Sequence, residues 1–538
     1  MSAIRASRET TDVIVVGSGA GGSVVAKELS EAGISVVVIE AGRRFQPTVD
    51  YRSDRPDFPV SSYGLFEPRD PRRDLYTTPT NATFTYARVK GVGGSTLVSW
   101  GVSPRFHESD FSVRTIDGLA SDWPLTYQHL EPYYTQVEQE LGMSGESGLG
   151  ANPFGPPRSR PFPTPAHAMN RAGRIVARGA EKLGLHMFVP PLAMPTQPWQ
   201  GRPACSGAGT CGWGCRSSAK SSADITYLRK AEVTGRVDVR SSAMARAITT
   251  NAEGLARSVI YVDAAGSEHE IVAKAIVVAG NAIETPRLLL MSATARDQAG
   301  LANSSGLVGK YLTEHLDIGC TARFAEPLEN WRGAPVTAML QDYYGTNPSR
   351  SFARGWILEV ATTGNWPLEV AKRAKGWGGI HKQRMKELFG HELEVIATGE
   401  QLPDIRNQVT LDHQVKDHIG LPVPCIESQA RGNDILMLRA MTESLRELVQ
   451  ASGPVEILEE RPYRPGGSIH YMGTCRMGTD PKTSVTDQYG RTHDVENLFV
   501  ADSSVFVTGA AVHPTLTLMA LANRTADFMI EQFKRGDL

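Results

Sequence analysis

Gly17-Ser18-Gly19-Ala20-Gly21-Gly22 satisfies G-x-G-x-x-G, and Glu40 follows some way beyond it. In a strand–turn–helix setting the first glycine permits a tight turn and the second lets a pyrophosphate approach the backbone. The third lets the helix pack close to its strand. An acid about twenty residues further on is placed to accept hydrogen bonds from ribose hydroxyls, and it would repel a 2′-phosphate. A second set with reactive spacing is Cys205, Cys211 and Cys215, a C-x5-C-x3-C pattern in a glycine-rich stretch. Thiolates so spaced can ligate a metal or an iron–sulfur cluster. The chain also holds 13 histidines, the side chain whose ordinary pKa suits proton transfer near neutrality.

These residues need elements to place them. Asp12 to Val16 is a short, β-branched apolar run that predicts a buried strand, with the glycines immediately after it. Ser23 to Ala32 has helical spacing, with Val24, Val25, Ala26 and Leu29 on one face and Gly33 at its end. Ile34 to Ile39 predicts a second strand that delivers Glu40. Strand, turn, helix, strand and acid in this order predict a dinucleotide site whose phosphates face a helix N-terminus. This unit does not separate NAD from FAD.

The whole chain is compatible with that reading. Its 538 residues predict more than one domain, and 41% hydrophobic with 21% charged residues is an ordinary globular balance. A formal net charge of −2 excludes a basic nucleic-acid footprint. No apolar run is long enough to span a membrane, and the polar N-terminal residues lack the apolar segment of an export signal, so a cytoplasmic location is expected.

Three further blocks resemble the glucose–methanol–choline (GMC) oxidoreductase family. They are Val92-Gly93-Gly94-Ser95-Thr96-Leu97 continuing to Phe106, Ala279-Gly280-Asn281 through Pro286-Arg287, and the C-terminal run from His470 through Asp502 to His513-Pro514-Thr515. The resemblance implies an α/β (α+β overall) architecture. A Rossmann-like FAD-binding domain would be built from 1–120, 216–319 and 466–538, and a substrate domain on an antiparallel sheet from 121–215 and 320–465. It implies FAD held by Gly17, Ser18, Gly19, Ala20, Gly22, Glu40 and Ala41 at the nucleotide end. Gly93, Gly94, Ser95 and Ser99 would run beside the flavin, Ala279 and Gly280 behind it, with Asp502, Pro514 and Thr515 completing the cradle. Members with covalent flavin carry a histidine soon after the Gly-Gly-Ser segment. Leu97, Val98, Ser99 and Trp100 stand there, which implies non-covalent FAD. Ser99 also replaces an Asn that many members have.

The family positions of the reactive pair match His470 and His513. Alcohol oxidation removes a hydroxyl proton and a hydride from one carbon, and aliphatic hydroxyls need a positioned base. His470 is expected to be that base, and His513 to bond the same oxygen and steady its developing charge. The implied substrate is a carbohydrate-like alcohol (sugar, amino sugar, glycoside or polyol), with oxygen or a dye-like or protein acceptor taking the electrons. The alternatives are a non-redox flavoprotein lyase of the same family and a cluster-containing sugar dehydrogenase subunit passing electrons to a cytochrome.

The remaining cysteines, Cys320, Cys425 and Cys475, read as buried thiols. For the Cys205 cluster, a glycine-rich loop with structural thiols is favoured over an iron–sulfur cluster, because Arg216 rather than proline follows the third cysteine; no metal site is expected. Apolar runs at 356–361 and 393–397, with 407–411 after them, suit an antiparallel sheet that walls the active site. Trp331, Tyr343, Tyr344, Trp356, Trp366 and Trp377 could stack on a sugar ring, although filling the core is the better reading for most of them.

Overall fold

The computed structural model describes residues 9–51, 75–80, 82–148, 151–362 and 367–538; the polar residues 1–8 and Trp366 lie outside them. The first strand, β1 (Glu9–Val16), pairs in parallel with β2 (Val36–Ile39) on one side and with Glu268–Val278 on the other. Val237–Arg240 extends the sheet beyond β2, and Leu498–Val500 pairs in parallel with the end of Glu268–Val278. The antiparallel strands Ala256–Val262 and Met244–Thr250 complete a seven-stranded sheet.

Both faces of this sheet are covered, which explains why its strands read as unbroken apolar runs. Val13, Val15, Val36, Val38 and Val277 pack against helix α1 (Ala20–Glu31) and the C-terminal helix Thr515–Arg535. Ile14, Val37, Ile39 and Ile276 point the other way, toward Leu288 and Leu289 of the helix Glu284–Met291. The helix expected from Ser23 begins earlier, at Ala20, and β2 begins later, at Val36.

The second sheet has six antiparallel strands, in the order Glu456–Arg461, His315–Arg323, Glu392–Glu400, Trp356–Ala361, Val336–Leu340, Met187–Phe188. Strand alternation gives it two unlike faces. Ile318, Cys320, Leu358, Val360, Val395 and Ala397 bury one face beneath the helices Asn433–Ala451 and Arg171–Lys182. The other face looks toward the seven-stranded sheet. The run at 407–411 does not join it. Gln408–Lys416 instead pairs with Pro422–Glu427 as a separate ribbon, because the turn residues after Glu400 end the sheet there. No described helix is long and apolar enough to cross a membrane.

Candidate active site

Between the two sheets lies a cavity of about 790 Å³ that runs from the glycine turn to His470 and His513. Of the residues expected to hold a cofactor, all but Gly22 and Gly93 line it. Gly22 sits beneath the turn, where an added Cβ would lie 2.0 Å from the Gly17 carbonyl oxygen. Gly93 supports the wall by donating its N–H to the Ser18 hydroxyl at 3.1 Å.

The nucleotide end is built by backbone proximity. Gly17 has φ +101, and a Cβ there would meet the Ala279 carbonyl oxygen at 2.3 Å. Gly94 has φ +56 and crosses Gly19 so closely that a Cβ would fall 2.8 Å from the Gly19 Cα. A Cβ on Gly19 itself would meet nothing nearer than 4.0 Å, so that side of the turn is open to a ligand. Gly21 has a role the sequence did not disclose: its missing Cβ admits the Ala501 carbonyl oxygen, which a side chain would meet at 1.7 Å.

The Glu40 carboxylate is buried. It accepts hydrogen bonds from the Ser18 N–H at 3.1 Å, the Ser18 hydroxyl at 2.7 Å and the Gly42 N–H at 2.9 Å. Burial raises its pKa against those bonds. Asp502 is likewise committed, accepting from the Asn281 N–H at 3.0 Å, the Ser504 N–H at 2.8 Å, and the Thr285 and Ser504 hydroxyls. It locks the Asn281 turn, where φ is +92, to the start of Ser503–Val505. Ser95 accepts from the Val89 N–H at 3.2 Å, and Ser99 donates to the Thr96 carbonyl at 3.2 Å. Two helices, α1 after Gly19 and Thr515–Arg535 after Pro514, open at the cavity with their first-turn N–H groups. Such termini favour anions. These open glycines and positive helix ends fit the diphosphate of an FAD.

At the other end His470 and His513 face each other with ring centroids 5.2 Å apart. The residue before His470, Ile469, has φ +62, a conformation that costs a β-branched residue about 1–3 kcal/mol and gathers at functional sites. A third histidine, missed by sequence reasoning, stands behind the pair. His315 Nδ1 is 2.9 Å from His470 Nδ1, and His315 Nε2 is 3.3 Å from the Gly509 carbonyl oxygen. Burial lowers all three pKa values, His315 to about 4, His513 to about 3 and His470 well below the usual 6.5, with the neighbouring imidazoles adding to the effect on His470 and His513.

The third wall is the second sheet, and the aromatic residues weighed as a sugar platform are used elsewhere, most of them in packing as expected. None of Trp331, Tyr343, Tyr344, Trp356 and Trp377 lines the cavity. Tyr343 stacks on buried Trp356, Trp331 stacks on Phe389, and Tyr344 stacks on His107; Trp377 is exposed at the surface. The sheet instead presents Asp317, Glu359, Glu394, Ile396, Thr398 and Arg461. Acidic residues inside the apolar runs Trp356–Ala361 and Leu393–Ala397 were the available signal, since such strands rarely bury a carboxylate without use.

The cysteine loop lies beside the cavity. Cys205 and Cys215 are half-buried and Cys211 is buried; all three are free thiols. Buried Lys220 ties this loop to the segment that follows Gly93-Gly94-Ser95 by donating to the carbonyls of Leu97 at 2.8 Å, Ser99 at 2.9 Å and Cys211 at 2.8 Å. Cys320 and Cys475 are buried as expected, but Cys425, near the end of the ribbon, is only half-buried.

Comparison with known proteins agrees with this architecture. The chain is 35% identical to 2-methyl-1,2-propanediol dehydrogenase of Mycolicibacterium austroafricanum, over 98% of this chain and 96% of that protein. It is 30% identical to the fructose dehydrogenase large subunit of Gluconobacter japonicus, over 98% of this chain and 100% of that one. The crystal structure of pyridoxine 4-oxidase from Mesorbium loti superposes with TM-score 0.68 at 18% identity, covering 96% of this chain and 99% of that chain, which shows a shared fold. Family models described as GMC oxidoreductase match residues 11–317 and 403–522. The chain therefore belongs to the GMC oxidoreductase family, whose members are FAD-binding flavoproteins, and it is an enzyme that oxidises alcohol groups.

Proposed function

We propose that this enzyme oxidises a hydroxyl of a carbohydrate-like substrate at His470 and His513, with FAD held non-covalently along the cavity. The observation that carries the reading is the single cavity joining an open glycine turn to a facing histidine pair. FAD, when bound, supplies the hydride acceptor. Gly17, Ser18, Gly19, Ala20, Glu40 and Ala41 would hold its adenosine and diphosphate end. Gly93, Gly94, Ser95 and Ser99 would flank the flavin, with Ala279, Gly280, Asp502, Pro514 and Thr515 completing the site. Leu97 and Val98, following the Gly-Gly-Ser segment, offer no side chain to form a covalent bond.

His470 takes the hydroxyl proton as the hydride leaves, and His513 orients the same oxygen. A carbonyl oxygen only accepts, so His315, neutral through burial, carries its proton on Nε2 toward Gly509. Its Nδ1 then accepts from His470 Nδ1–H. That arrangement leaves His470 Nε2 as a lone pair, the form a general base requires.

We also propose the division into a cofactor domain (1–120, 216–319, 466–538) and a substrate domain (121–215, 320–465), with one boundary moved back to His315. The strand His315–Arg323 pairs only within the antiparallel sheet, so it belongs wholly to the substrate side.

The test is an anaerobic screen of the flavin-loaded protein with sugars, amino sugars, polyols and simple alcohols. Bleaching of the flavin by a polyhydroxylated compound is the expected result. Bleaching by simple alcohols alone, or a flavin that stays oxidised with every compound, overturns the reading.

A further inference from the structure

One prominent part of the second sheet takes no part in the cavity. Between the strands Trp356–Ala361 and Glu392–Glu400 the chain forms two helices, Pro367–Arg373 and Gly378–Leu388. An inner face fastens them to the protein: Val370, Ala374 and Leu388 are buried together, with Met385, Phe389 and Leu458 packed against them. His381 Nδ1 lies 3.1 Å from the Ala374 carbonyl oxygen and joins the two helices. Arg373 pairs with Glu392, and Arg384 reaches Glu456 at 3.0 Å. None of these residues lines the cavity.

The joint between the helices is exposed and apolar. Trp377 is 86% exposed and Ile380 71%, whereas Phe154, the next most exposed tryptophan or phenylalanine among the described residues, is 39% exposed. Three residues apart across the first turn of a helix, Trp377 and Ile380 are surface neighbours. The glycines around them shield neither. A Cβ on Gly378 or Gly379 would meet nothing within 4 Å, and Gly376 packs so closely against Ile380 that a Cβ would lie 2.8 Å from its Cγ2. Single exposed apolar residues are ordinary, but adjoining large ones with a polar rim mark a contact surface. The rim here is basic: residues 367–388 hold six Lys and Arg against two Glu, in a chain of net charge −2. Arg373 and Arg384 are engaged with the body of the protein, while Lys375, Lys382 and Lys386 are exposed and make no ion pair among the described residues.

We propose that this helical hairpin is a docking surface for an anionic lipid bilayer, with Trp377 and Ile380 entering the interfacial layer and Lys375, Lys382 and Lys386 facing lipid phosphates. Tryptophan settles at the membrane–water boundary, where its apolar ring and its single N–H donor both find partners. Lysines around such an anchor extend their charged ends to the headgroups, and a cluster of them is drawn to a negative leaflet. A protein partner fits this composition less well, because protein interfaces are depleted in lysine and lysine is what surrounds this apolar tip. The attachment is peripheral, since no described helix is long and apolar enough to cross a membrane. It is independent of the alcohol-oxidising site, with which it shares no residue.

The test sediments the flavin-loaded protein with vesicles of equimolar phosphatidylcholine and phosphatidylglycerol, and with vesicles of phosphatidylcholine alone. The protein should partition onto the mixed vesicles, less strongly as salt is added, and bind pure phosphatidylcholine far more weakly. Replacing Lys375, Lys382 and Lys386 together by Gln should weaken binding to the mixed vesicles by at least about tenfold, because each lysine near a negative surface contributes separately. Trp377→Ala should weaken it as well and remove the blue shift in tryptophan fluorescence that accompanies binding. Flavin content and melting temperature should match the parent in both variants, since none of these side chains supports the core. No binding to mixed vesicles, equal binding to phosphatidylcholine alone, or undiminished binding in either variant overturns the proposal. A lipid-free dimer in sedimentation velocity that Trp377→Ala dissociates overturns it too, because a second copy of the chain then covers the tip.

Discussion

His315 Nδ1 lies 2.9 Å from His470 Nδ1, while the opposite nitrogen of His315 is held by the Gly509 carbonyl. The pair works as a tautomer lock: a neutral His315 with its proton on Nε2 can only accept from His470. His315→Leu removes the acceptor without touching substrate. Flavin reduction should slow by at least about tenfold with little change in KM, a smaller loss than that of the base itself. His315→Gln keeps an amide oxygen able to accept from His470 Nδ1–H, and should recover most of the rate. Equal rates in the leucine and glutamine variants would show that His315 only fills space.

For His470 the expected consequence is on both rate and pH profile. His470→Ala should retain FAD but slow anaerobic flavin reduction by roughly a hundredfold or more, the usual scale of general-base loss. The base must be unprotonated, and burial with the adjacent His315 and His513 holds its pKa well below 6.5. The acid limb of kcat/KM therefore falls below pH 6.5, and the rate is flat through neutrality. A limb at or above pH 7 assigned to His470 would contradict the burial argument.

The nucleotide half was legible because its physics is local. Gly17, Gly22 and Glu40 act within one strand–turn–helix unit, so spacing alone exposes them. His470 and His513 became visible only through a family resemblance, since nothing local distinguishes them from the other histidines. His315, Asp317 and Glu359 were not legible. Strand registry between segments far apart in the chain brings them to the cavity; Glu359 showed in the sequence only as an acid inside an apolar run, with nothing to say which face of the sheet it takes. The sugar-platform alternative for the aromatic residues could not be settled from sequence for a related reason. Trp356 and Asp317 lie on opposite faces of one sheet, and only the pairing tells which face meets the cavity.

Glu40 links the turn to the Gly93-Gly94-Ser95 segment through Ser18, whose hydroxyl donates to Glu40 and accepts from the Gly93 N–H. Glu40→Ala leaves the buried Ser18 and Gly42 N–H groups without acceptors, at a cost of about 1–3 kcal/mol for each unsatisfied donor. The variant should lose FAD on dialysis and melt at lower temperature, with Glu40→Gln intermediate because its amide oxygen still accepts. Undiminished flavin content in Glu40→Ala would separate this acid from the cofactor site.

Gly94→Ala tests the crossing of the two glycine segments. The added methyl would lie 2.8 Å from the Gly19 Cα at a backbone φ of +56, so the two chains must separate where the diphosphate would sit. Flavin content should fall while secondary structure, read by circular dichroism, stays unchanged. Full flavin occupancy would show that the crossing tolerates a side chain.

Arg354 bears on stability rather than chemistry, and its surroundings set the sign of a pH effect. It is buried and pairs with Asp110, with Glu400 at 2.6 Å and with Asp117 at 3.5 Å, joining the antiparallel sheet to the segment that follows Phe106. Removing one partner of a buried ion pair leaves uncompensated charge and typically costs about 3–5 kcal/mol. In Arg354→Leu the buried Glu400 carboxyl is tolerated inside only in its protonated form, while in the unfolded chain it ionises freely. The folded variant thus binds more protons than the unfolded one, and its stability must fall as pH rises. Burial already raises the Glu400 pKa even with Arg354 present, so the loss begins above the ordinary carboxylate pKa of about 4 and continues toward neutrality. Thermal unfolding at pH 5 and pH 8 reads this directly. The deficit relative to the parent should be larger at pH 8, and a deficit independent of pH would mean that packing, not charge, is what Arg354 contributes.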